Sequence, residues 1–217
     1  MDVEKFIADM LDVDTPRDLQ KEIGPSELLG CERRLWHRMN DTPRCNFGAL
    51  KLPAWMGRVL HEALAKEADR QDVWGDRYLI EHAMLLDGMP CHVDWIDRPA
   101  KELGDWKTAT KAKLVPSKFP GIAQRSQVHN NARIARANGI EIETVVLVGI
   151  PRDGTEDDIK VHREPYDEAV ALHGLRQLER VRDAKFAPPP TEHYKFCRDY
   201  CDFYDPTEVV GCPGRRR

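Results

Sequence analysis

At 217 residues the chain is long enough to bury one substantial core with a small appended structure. A net charge of -4 excludes a protein that coats nucleic acid over its whole surface, because phosphate neutralisation needs concentrated Lys and Arg, but it leaves room for a local basic groove. The composition, 41% hydrophobic and 32% charged, is that of a globular protein, and no apolar run approaches the roughly 18 residues of a membrane span.

The opening MDVEKFIADMLD is acidic and amphipathic, unlike a signal peptide, so a helix over residues 1–12 and a cytoplasmic protein are expected. In PSELLGCERRLWHRM, Ser26 is a candidate N-cap for a helix that carries Cys31, Leu35 and Trp36. Residues 41–52 read as a loop. From Pro53, the helical spacing of Trp55, Met56, Val59, Leu60, Ala63 and Leu64 predicts a long helix. Then DRYLIEHAMLLDG and MPCHVDWID, separated by Asp87-Gly88, form a hairpin, and a turn at RPAKE leads to a third strand, LGDWKTA. After a loop bearing Lys111, Lys113 and Lys118, a helix runs from about Ile122 to Asn138 and stops at Gly139; ETVVLVGI follows as a buried strand. A helix from about Tyr166 to Lys185 precedes APPP, a boundary before a cysteine-rich tail.

Asp94 and Asp105 stand inside otherwise apolar strands. Asp-x-Lys alone is weak evidence, since the chain repeats it at Asp158 to Lys160 and Asp183 to Lys185, in a polar turn and a charged helix. Position is more informative: on a strand Asp105 and Lys107 share one face, and Trp106 takes the other with Trp95, as core. A turn centred between Pro99 and Ala100 puts Asp94 opposite Asp105, with Cβ atoms roughly 5 Å apart. Carboxylates that close repel unless a cation lies between them, and oxygen ligands suit Mg²⁺ or Mn²⁺. Lys107 then either stabilises charge on a phosphate and orients a water, or simply neutralises Asp105.

Six cysteines in such a chain point to metal ligands or ordinary buried residues rather than disulfides. Cys197, Cys201 and Cys212 cluster late; Cys31 lies early; Cys45 is spare, and Cys91 alternates with Val93 and Trp95 as core. Thiolates suit an iron-sulfur cluster or zinc equally well.

The order helix, three strands, helix, strand, with Asp94 on one strand and Asp105-Trp106-Lys107 on the next, resembles the PD-(D/E)XK nuclease superfamily. Within it the chain resembles RecB-like exonucleases, including CRISPR-associated and bacteriophage members, over about Ile23 to Gly214. The resemblance implies an α/β, restriction-endonuclease-like fold: a mixed central sheet flanked by helices, in one nuclease domain over 1–217. Its core would span about 53–150, with N- and C-terminal segments, about 24–40 and 190–214, joined at a 4Fe-4S cluster. It makes His61, in GRVLHEAL, a metal ligand with Asp94, Asp105 and the Trp106 carbonyl. Lys107 becomes the catalytic lysine, and Gln127, in QVHNNARIA, a site residue, although Asn131 stands where the family has tyrosine. Cys31, Cys197, Cys201 and Cys212 become the cluster ligands, spaced C-x3-C-x10-C in the tail. The implied activity is Mg²⁺- or Mn²⁺-dependent exonuclease action on single-stranded DNA ends in recombination, repair or phage DNA metabolism. Implied partners are DNA and recombination or CRISPR-integration proteins, with no membrane. The rival is a noncatalytic DNA-binding or assembly module that keeps the fold and cluster.

Overall fold

The computed structural model describes residues 11, 22–46, 52–72, 75–190 and 194–214. Most of the expected helix over 1–12, and Arg215 to Arg217, lie outside them. The chain divides into two compact units: a sheet unit, Gly24–Leu29 with Gly57–Gln177, and a cysteine unit, Met1–Ile23, Gly30–Met56 and Leu178–Arg217. Among the described residues no helix is long and apolar enough to cross a membrane.

The helices are α1 (Glu32–Met39), α2 (Leu52–Gln71), α3 (Ile122–Ala137), α4 (Glu168–Asp183) and α5 (Tyr194–Tyr200), and the strands are β1 (Tyr78–Leu86), β2 (Met89–Asp97), β3 (Glu102–Ala109), β4 (Thr144–Pro151) and β5 (Lys160–Pro165). The sheet unit is α/β, built on a five-stranded sheet in the order β1-β2-β3-β4-β5. It is mixed: β3 and β4 are parallel, and the other neighbours antiparallel. The parallel pair follows from the intervening α3, because a parallel connection must cross over the sheet.

Local chemistry sets the turns. Asp87 and Gly88 both take positive φ, 51° and 77°, the type I′ geometry whose twist matches a two-residue hairpin. The β2–β3 register is Trp95↔Gly104, Ile96↔Leu103 and Asp97↔Glu102, the register expected from a turn between Pro99 and Ala100. At Gly104 a Cβ would stand 1.9 Å from the Trp95 ring, so glycine is required for that indole to cross the neighbouring strand. Gly139, at φ 83°, ends α3 as expected.

The core lies between the sheet and α3. Val93, Ile96, Leu103, Val128, Ile134, Val145 and Leu147 are buried, each aliphatic side chain of this kind contributing about 1.5–3 kcal/mol relative to exposure. Asn130, also buried, donates to Ser126 O and Ala171 O, both at 2.9 Å, which ties α3 to α4.

Two expectations are corrected. The helix read as continuous from Ser26 is a 3-10 turn over Pro25–Glu27, and α1 begins only after Cys31, its N-cap. Leu29, at φ 56°, turns the chain between them, while Leu28 is buried in the sheet unit. The segment 160–165, unassigned from the sequence, is the edge strand β5. Its KVHREP pattern alternates, but charged residues occupy the positions that an internal strand fills with Val or Ile.

Candidate active site and cysteine cavity

The β2–β3 ladder stops one step before the two aspartates. Beyond Trp95↔Gly104, the backbone N–H of Trp106 donates to Asp94 Oδ2 at 2.6 Å, so a side chain takes over where the antiparallel ladder ends. This leaves Asp94 and Asp105 on neighbouring strands, both buried.

Around Asp105 the polar groups close a triangle. Lys107 Nζ lies 2.6 Å from Asp105 Oδ2 and donates to Gln127 Oε1 at 2.8 Å; Gln127 Nε2 donates to Asp105 Oδ1 at 3.0 Å. An ammonium only donates and a carboxylate only accepts, so this geometry fixes which end of the Gln127 amide faces each. Lys107 comes from β3 and Gln127 from α3, the helix that β3 feeds. Asp105 Oδ2 is buried without a hydrogen bond of good geometry, although it forms the ion pair with Lys107. Burial pushes the Asp105 carboxyl up; the Lys107 ammonium opposes this, and the like charge of Asp94 adds to it.

On the other side of Asp94, its Oδ1 lies 3.4 Å from His61 Nδ1. The hydrogen bond to Asp94 raises the His61 pKa and outweighs burial, which lowers it. The His61 imidazole meets the Trp106 ring edge to face at 6.2 Å between centroids. Thus His61, Asp94, Asp105, Lys107 and Gln127 come together in the sheet unit, and Trp106 joins them through its backbone N–H. Asn131 is buried elsewhere on α3, where it accepts from the Cys91 thiol at 3.3 Å.

Glu81 is the residue that the sequence reading missed. Its carboxylate, His61 and Asp94 each offer a ligand atom, and these lie within 4.8 Å of one another. The ladder pairs Ile80↔Trp95 and His82↔Val93 set Glu81 across from Asp94. Glu81 takes φ 47°, in the left-handed region that costs a residue other than glycine about 1–3 kcal/mol. The signal was present: pairing counted out from Asp87-Gly88 puts the carboxylate of EHAML across from Asp94.

In the cysteine unit, the four cysteines singled out from the sequence line one cavity, with Arg34 and the aromatic residues Phe196, Phe203 and Tyr204 around them. Cys31 caps α1; Cys197 and Cys201 are one helical turn apart, with Cys201 N–H on Cys197 O at 3.0 Å. Cys212 is held by backbone bonds to Phe203 O at 2.7 Å and from Asp205 N–H at 2.8 Å. The loop between is organised by Asp205, whose Oδ2 accepts from Val209, Val210 and Gly211 N–H at 3.0, 2.9 and 3.3 Å. Burial pushes the Cys201 thiol up to about 11, so a metal binding there must displace protons. Cys45 stays outside the cavity, its thiol directed to Asp202 O and Tyr204 O. Cys91 is buried in β2, as expected.

No family model matches the chain, and no curated protein matches it. Among solved structures it is similar to "Crystal structure of SSO0001", at 18% identity and a TM-score of 0.55, over 99% of this chain and 95% of that one. This is a likeness of fold. An alkaline exonuclease (LHK-Exo) from Laribacter hongkongensis matches at 12% identity and a TM-score of 0.46, over 75% of this chain and 86% of that one.

Proposed function

We propose that the sheet unit is a metal-dependent deoxyribonuclease of the PD-(D/E)XK kind, acting on single-stranded DNA ends in recombination, repair or phage DNA metabolism. The observation that carries this reading is the closed triangle of Asp105, Lys107 and Gln127 beside the Asp94–His61 pair. The donor set fits a divalent cation: two buried carboxylates on neighbouring strands and an imidazole 3.4 Å from one of them. Asp94, Asp105 and His61 would hold the ion. Bound there, Mg²⁺ or Mn²⁺ supplies an acidified water and offsets phosphate charge.

The chain's own residues do the positioning. An ammonium has three N–H donors; Lys107 directs one to Gln127 and pairs with Asp105, which leaves a donor for a phosphate oxygen or the attacking water. Gln127 holds that ammonium from α3 while its amide N–H fixes Asp105. The loop leaving β3 carries exposed Lys111, Lys113 and Lys118, a surface suited to a polyanion, although Lys111 also pairs with Asp158 at 2.8 Å.

For the cysteine unit we propose a 4Fe-4S cluster held by Cys31, Cys197, Cys201 and Cys212. Four cysteines lining one cavity fit a polynuclear thiolate centre. Bound there, it supplies a cross-link between α1, α5 and the loop that carries Cys212.

The nuclease reading is tested with single-stranded DNA labelled separately at each end, incubated with Mg²⁺ or Mn²⁺. Metal-dependent degradation that Asp105→Ala and Lys107→Ala each reduce by at least about 100-fold is expected, on the scale of lost transition-state charge stabilisation. Intact protein that binds DNA and never cuts it would leave a noncatalytic binding module as the better account.

A further inference from the structure

The short helix α5 carries different side chains on two of its faces. Cys197 and Cys201 are buried, whereas Phe196 and Tyr200, each one residue ahead of a cysteine, stand 39% and 42% exposed. One residue is about 100° around a helix, so α5 cannot turn its thiols inward without turning this aromatic pair outward. We propose that Phe196, Tyr200 and the Arg34 guanidinium form a platform for single-stranded DNA on the cysteine unit, in which bases stack on the rings and the guanidinium takes a phosphate. This deepens the nuclease reading, and it rests on that reading only for the identity of the polymer.

The rings are arranged before any ligand arrives. They lie one helical turn apart, 5.4 Å between centroids and tilted by 37°, an offset pairing in which each restrains the other. Each nevertheless leaves more than a third of its residue open to solvent, so the pair does not cover itself. Phe196 also borders the cysteine cavity together with Arg34, which comes from α1. A cation from a second element therefore stands beside the aromatic pair.

That cation is not already committed. Arg198, on α5 itself, is occupied by Asp199 at 2.6 Å, and Arg180 by Glu32 at 2.8 Å. Arg34 pairs with no carboxylate among the described residues. An apolar protein surface laid over the rings would bury Arg34 without a counter-charge, which is costly. A nucleic-acid strand satisfies both chemistries, because it alternates ring faces with phosphates that a guanidinium binds through two oxygens. The rings further select a single strand: an unpaired base can be splayed onto an aromatic side chain, whereas a base inside a duplex is already stacked on both sides.

The test measures binding of the full chain by fluorescence anisotropy with no divalent cation added, using a labelled single strand, an abasic strand of the same length and a blunt duplex of the same sequence. Wild type is expected to bind the single strand at least about 5-fold more tightly than the abasic strand. Phe196→Leu and Tyr200→Leu keep apolar bulk and lose the ring face; each should remove most of that difference and leave duplex binding unchanged, while Phe196→Trp should retain it. Arg34→Gln should weaken the single and abasic strands alike and reduce the slope of log affinity against log salt by about 0.7. Metal content and thermal midpoint report whether each variant is assembled. Folded leucine variants that bind the single strand as wild type does, or that weaken the duplex equally, overturn the platform, as does wild type that fails to distinguish the abasic strand. Cleavage with Mn²⁺ is scored separately: base-dependent binding without cleavage overturns the nuclease reading and leaves the platform standing, and cleavage without base-dependent binding does the reverse.

Discussion

Gln127 is a small residue to carry much of the geometry of Lys107, but it alone among the site residues contacts both the ammonium and Asp105. Replacing it with Ala leaves Asp105 and Lys107 in place and removes the clamp that orients them. Loss of such an orienting partner generally reduces activity or metal affinity by about 10–100-fold. Gln127→Ala should therefore cut DNA more slowly by that factor and keep its thermal midpoint within a few degrees. A drop as deep as that of Lys107→Ala would show Gln127 touching the reacting groups directly, and no drop would show the clamp to be idle. The aspartates and the lysine were legible in the sequence because strand alternation and a turn centred between Pro99 and Ala100 place them by counting, whereas His61, on a helix, came only from the family resemblance. Glu81 could be placed by the same counting but was overlooked, because a glutamate in an exposed strand reads as surface. The buried role of Asn131 was not legible, since nothing in QVHNNARIA announces that its partner is Cys91 on β2.

Among the elements, those ended by specific chemistry were read well. The Asp87-Gly88 turn and the Gly139 stop fix β1, β2 and α3 by backbone conformations that few other residues adopt. The tail was read only as cysteine-rich, with no elements assigned, because its order comes from scattered partners: α5 is seven residues long, and the next loop hangs on the Asp205 carboxylate rather than on any periodic pattern. Cys197 and Cys201 owe their juxtaposition to one turn of that short helix and its following residue. If the cavity holds the proposed cluster, anaerobically purified protein is brown and contains iron and acid-labile sulfide, and Cys201→Ala lowers both. Stoichiometric zinc without visible absorbance would mean that the same four thiols hold a different metal.

Across the sheet unit as a whole, stability should depend on pH through the contact between α3 and β5. His129 is buried; its Nδ1 accepts from Asp167 N–H at 3.1 Å, so Nε2 carries the proton and donates to Glu164 at 3.1 Å. Burial holds the His129 pKa below its ordinary 6.5, although Glu164 pulls it up. For Glu164 burial pushes upward, but the Arg125 and His129 hydrogen bonds outweigh it and bring the carboxyl from 4.5 down to about 2. Both groups bind protons more readily once unfolded, so both contribute stability that is lost on the acid side. The His129 contribution fades as pH falls below 6.5, and the Glu164 contribution fades from 4.5 toward 2. The urea midpoint should be flat near neutrality and fall in two stages on acidification. Glu164→Gln should lower the midpoint at pH 7 and flatten the second stage; an unchanged profile would show that this contact does not govern acid stability.

The two units also differ in when a ribosome can complete them. Every residue of the sheet unit has been synthesised once Gln177 is added, and the candidate catalytic groups are all among them. The cysteine unit is split, with Cys31 near its start and Cys197, Cys201 and Cys212 arriving only after that point. Translation thus offers the carboxylate centre its partners first and leaves Cys31 waiting for the other three thiols until the sheet unit has been made. If the four thiols hold a metal, its site is consequently completed after that of the carboxylates.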